Sequence, residues 1–236
     1  MTEPAAESVE PLDAPTTARP SLGWLELGVA ALSYVVIQLA LAVVAGLLSE
    51  GVPPAPVLVA ISGVSALAAV AIALSLRVRS LAAVGLVRVP VRTVLVGVGL
   101  GVVVWLVSRA LILAYVAITG DTSDPQAALT LFSGPVAATL VVLIGGLVVP
   151  LGEELLFRGV GYGVLRRLGY VVAVVLSAGV FALAHGLNVV FAAALLLGVV
   201  NAVLYERTGS IWPPVAAHAT FNLISFALVL AVGGQT

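Results

Sequence analysis

Glu153 and Glu154 stand side by side in a run of Val, Leu and Gly, with Arg158 close behind. On an α-helix, residues four apart share a face, while neighbours differ by about 100°. Glu154 and Arg158 can therefore cancel as an ion pair. Glu153 points elsewhere and has no local partner. A charge near the centre of a bilayer helix costs roughly 2.5–3.5 kcal/mol, so a spare carboxylate there needs a chemical reason. The two histidines of the chain could supply it. His185 lies one helical turn after Phe181, on the same face, and His218 lies one turn before Asn222. A glutamate beside a histidine can position a water and take its proton. His218 or Asn222 could donate to a developing oxyanion. Glu153, His185 and His218 could instead hold a zinc ion with one position open for water. All these schemes lead to hydrolysis of an amide bond within the membrane. The plainer readings are a solvated charge cluster at the interface and a histidine satisfied in a core.

Other proteolytic chemistries lack their residues. Cysteine is absent, and all ten basic residues are arginine, so no thiolate and no Ser-Lys dyad can form. There is no His-Glu-x-x-His signature and no Gly-x-Gly-Asp. Ser210 with His218 would be the one Ser-His pair, but the Thr208-Gly209-Ser210 turn explains that serine better.

The elements that position these residues are apolar spans. The chain is 61% hydrophobic and 9% charged, with mean hydropathy +1.23, against about 25% charged in a soluble domain. This predicts an all-α polytopic membrane bundle of about seven transmembrane helices. Residues 1–21, rich in acids and prolines, read as a disordered cytoplasmic tail rather than a signal peptide. Residues 22–236 form the transmembrane domain. The predicted spans are 22–48, 56–76, 93–118, about 131–149 running on to Arg166, 169–185, 187–204 and 211–232. A net charge of -1 without a basic patch gives no case for nucleic acid. Glu26 and Glu50 fit interfacial positions, with Trp24 and Trp212 as anchors. Gly97/Gly101 and Gly159/Gly163 read as close helix packing. Arg109 interrupts the third span, with an acid such as Glu154 as a candidate partner.

Arginines fall in alternate loops, which places the N-terminus in the cytoplasm and the C-terminus outside. On straight helices at about 1.5 Å per residue, Glu153 and the histidines do not share one depth. The expected remedy is a kink at Pro150–Gly152.

Glu-Glu-x-x-x-Arg, Phe-x-x-x-His, the Gly-bearing sixth span ending in Leu204-Tyr205-Glu206-Arg207-Thr208-Gly209-Ser210-Ile211-Trp212-Pro213-Pro214, and His-x-x-x-Asn occur in this order. Across 149–222 the chain resembles the CAAX prenyl protease and bacteriocin-processing (CPBP, or Abi) family of intramembrane endopeptidases. The resemblance implies that Glu153 activates water with Glu154 as helper, that Arg158 and Phe181 are structural, and that His185 acts on the water or binds metal. It gives His218 and Asn222 to the oxyanion or to a metal. It leaves a zinc requirement open and implies a membrane protein or peptide substrate in a bacterial plasma membrane. A non-catalytic immunity or regulatory partner is the alternative. A transporter is weaker, because the polar residues cluster in one half.

Overall fold

The computed structural model describes residues 21–49, 52–122 and 134–232. The acidic tail, Glu50 and most of the loop holding Asp124 lie outside them. Among the described residues there are seven helices and no strand. They are α1 (Trp24–Leu48), α2 (Ala55–Leu76), α3 (Val91–Thr119), α4 (Gly134–Leu168), α5 (Tyr170–Ala184), α6 (Phe191–Thr208) and α7 (Trp212–Val232). Six are long and apolar enough to cross a membrane; α5, with 15 residues, is shorter. The expected seven helices are present, but the fifth is not of full spanning length.

Proline and glycine set the helix ends. Pro54 and Pro90 precede α2 and α3. Their fixed φ suits a helix start, and the missing N–H would be unpaired there anyway. Gly209 ends α6 with φ 60°, a left-handed conformation open to glycine. The outer surface carries Leu32, Leu39, Val43, Leu47, Leu113 and Val171, all exposed, as a lipid-facing belt requires. Inside, small residues let backbones approach. The buried face of α2 is Gly63, Ser65, Ala66, Ala69 and Ala73. A side chain at Gly97 or Gly101 would collide with the backbone of α7 at Pro213 or Ala217, so this pair packs α3 on α7 as expected.

Helix α4 is the centre of the bundle, packed against α2, α5 and α7. At Pro150–Gly152, where a kink is expected, α4 is not broken. It stays helical, but two π-helical segments, Ile144–Val148 and Leu155–Tyr162, bracket the α-helical turn Val149–Glu154. Pro150 has no N–H to give to the preceding turn; widening to i→i+5 bonding absorbs the loss without a break. Helix α6 begins later than expected. Gly186 adopts φ 89°, and Asn188 bonds both His185 O (2.8 Å) and Val190 N (2.8 Å), so a tight turn occupies the residues before Phe191.

The charged ends collect on one face. Arg77 pairs with buried Glu26 (2.7 and 2.8 Å), which also caps Gly23 N. This ion pair holds the Arg77 guanidinium above its ordinary pKa. Arg166 pairs with Glu206 at 2.9 Å, and Arg167 donates to Leu22 O at 2.6 Å. Between them lies a cavity of about 270 Å³ lined by Tyr162, Arg166, Arg167 and Glu206. Arg109 lies toward the other end of α3 and stacks on Trp105 at 5.5 Å. It is not among the partners of Glu154 described below.

Candidate active site

The three charges of the α4 stretch are buried: Glu153 is 6% exposed, Glu154 and Arg158 0%. They are not a solvated interfacial cluster. Glu154 and Arg158 pair one turn apart, Nε to Oε2 at 3.2 Å, as their spacing predicts. Arg158 also donates to Gly198 O at 3.0 Å and lies 4.5 Å over the Phe181 ring. That arginine ties α4 to α5 and α6.

Glu154 does more than balance a charge. Its Oε1 accepts from Asn201 Nδ2 of α6 at 2.8 Å and lies 2.8 Å from His218 Nδ1 of α7. It thus gathers α6 and α7 around α4. With Nδ1 engaged, the ring of His218 turns Nε2 toward Glu153, whose Oε2 is 3.9 Å away. That oxygen is buried and has no hydrogen-bond partner. The other, Oε1, accepts from Ser62 of α2 at 3.0 Å. The gap is too long for a direct hydrogen bond.

Phe181 is the apolar counterpart of this network. Its ring meets Phe157 (5.2 Å), His185 (4.6 Å) and His218 (5.6 Å). His185 is half-buried at the end of α5, with Nδ1 2.9 Å from Phe181 O. The structure therefore joins the two histidines through Phe181. Asn222, one turn along α7 from His218, donates to Gly145 O at 2.9 Å, in the first π segment of α4.

Among the described residues, no group of three or more His, Asp or Glu side chains could hold a metal ion. His218 Nδ1 meets Glu154 and His185 Nδ1 meets a backbone carbonyl, which leaves both Nε2 atoms uncommitted. As placed, Glu153, His185 and His218 are not gathered into such a group. Ser210 is buried and donates to Val87 O at 2.9 Å, a turn role rather than a nucleophile's. Asn201 and Ser62 belong to the network but to no motif; their one sequence signal is a polar side chain inside an apolar span.

Residues 135–224 match the family model described as Type II CAAX prenyl endopeptidase Rce1-like. This segment is similar to that family. A relative in Bacillus subtilis (strain 168), named "Putative membrane peptidase YdiL", is 30% identical over 87 residues, 36% of each chain. The chain thus aligns with about a third of that relative's length. No solved structure matches. Glu153, Glu154, Arg158, Phe181, His185, Asn201, His218 and Asn222 all fall inside the Rce1-like segment. Ser62 falls outside it.

Proposed function

We propose that this chain is an intramembrane endopeptidase that hydrolyses a peptide bond of a membrane-associated or lipidated substrate, with water activated by Glu153. The observation that carries this reading is the buried, unpartnered Glu153 Oε2 facing His218 Nε2 across 3.9 Å. A water seated beside this pair, within hydrogen-bond reach of each, would bond both groups. Glu153 takes a proton from it as oxygen attacks the peptide carbonyl carbon, then passes that proton to the departing amine. Glu154 holds His218 at Nδ1, which fixes the ring as a carboxylate does in a catalytic triad. In its imidazolium form Nε2 is a donor as well, placed beside the attacked carbonyl. Asn222 keeps a second amide hydrogen besides the one given to Gly145, on the same face of α7. The Rce1-like match and the peptidase name of the aligned relative support the reaction class. No step here runs through a metal.

The test is Glu153→Gln in protein reconstituted in liposomes. The probe is a quenched fluorescent peptide ending in a farnesylated Cys-a-a-X sequence, beside its unprenylated twin. Loss of about 10²- to 10⁴-fold in kcat is expected for removing the base. Undiminished cleavage by the variant would overturn the reading. The ratio between the two peptides reports whether the lipid is recognised.

A further inference from the structure

Helix α2 lies outside the Rce1-like segment, yet it reaches the candidate base. Ser62 Oγ donates to Glu153 Oε1 at 3.0 Å. Serine in a membrane helix usually spends its hydroxyl on a carbonyl of its own preceding turn. Ser75 of the same helix does so, to Ile72 O at 2.7 Å. Ser62 bonds across to α4 instead. On α1, the Tyr34 ring meets Phe157 edge-on at 6.4 Å. Ser62 and Glu153 thus join α2 to α4.

The backbone is shaped for this contact. The residue after Ser62 is Gly63, and the residue before Glu153 is Gly152. A Cβ on Gly152 would lie 2.9 Å from Gly63 O, and one on Gly63 would lie 3.3 Å from Val149 N. Two glycines at the crossing bring α2 and α4 close enough for a short serine side chain to span the gap.

We propose that Ser62 is a positioning residue for Glu153. The terminal torsion of a glutamate is broad, so a carboxylate bonded on neither oxygen samples many orientations. Fixing Oε1 leaves Oε2 as the base and aims it at the gap before His218. This inference rests on the reading of Glu153 as the base.

The experiment uses the full chain in liposomes and the same farnesylated peptide. Ser62→Ala should lower kcat about 10- to 100-fold, the scale of a small misplacement of a reacting group, with KM within about twofold. Ser62→Thr, which keeps the hydroxyl, should restore most of kcat. Wild-type kcat in Ser62→Ala, or a rise in KM alone, would overturn the proposal. If Ser62→Ala does not fold, as thermal unfolding would show, Ser62→Cys, close in size but a weak donor, decides: unchanged kcat there counts against it. Glu153→Gln run alongside separates the two readings. Full activity in that variant sinks the base itself, whereas an inactive Glu153→Gln beside a wild-type-like Ser62→Ala sinks the positioning role alone.

Discussion

Glu154 Oε1 lies 2.8 Å from His218 Nδ1, joining two residues 64 positions apart in sequence. The same carboxylate pairs with Arg158 on its own helix and accepts from Asn201. One group thus sets both the charge balance of the core and the direction in which His218 faces.

The two duties can be separated. Arg158→Met strands a fully buried carboxylate, and breaking a buried pair on one side costs about 3–5 kcal/mol. Unfolding of the variant in detergent should occur at a markedly lower temperature. The double variant Glu154→Leu/Arg158→Met removes both charges and should regain most of that stability. It should stay inactive, because His218 has lost its anchor. A double variant as active as wild type would show that Glu154 acts on charge alone.

Asn201→Ala removes one neutral-to-charged hydrogen bond in a buried site and should cost about 1.5–3 kcal/mol. Asn201→Asp sets a like charge against Glu154 and should cost more than alanine does. The order of their melting temperatures checks this.

Metal content is expected to be low and equal in purified wild type and His185→Ala, since the donor set does not converge. Elemental analysis of both would settle it. One metal per chain in wild type, lost in the variant, would contradict the geometry described above.

The chain has no cysteine, so single introduced thiols report topology without background. Ser80→Cys, in the arginine-bearing loop after α2, should react with a membrane-impermeant maleimide only after permeabilisation. Thr122→Cys, after α3, should react in intact cells. The reverse pattern would invert the assigned orientation.

The Glu154–Arg158 pair was legible because four residues along a helix fix a face whatever the tertiary structure. So was the left-over status of Glu153. That His218 turns to Glu154 rather than straight to Glu153 was not legible, because it depends on how α7 crosses α4. Asn201 and Ser62 were hidden for a related reason. A single amide or hydroxyl in an apolar span can bond its own helix, and only the neighbouring backbone decides otherwise. The mark of Pro150 on its helix was foreseeable but not its form. The sequence predicts a kink, and the wider turns on either side of the proline are not visible in it.

The shortness of α5 has a consequence for the membrane around it. Fifteen residues cover about 22 Å at 1.5 Å per residue, against a hydrocarbon thickness of about 30 Å. Tyr170 begins beside the arginines of the α4 end, so the deficit falls at the far end, at His185 and the turn behind it. Hydrophobic mismatch of that size is met by thinning the lipid. Headgroups and water then dip toward His185, and a polar peptide segment need not cross a full hydrocarbon leaflet to reach the histidine end of the site.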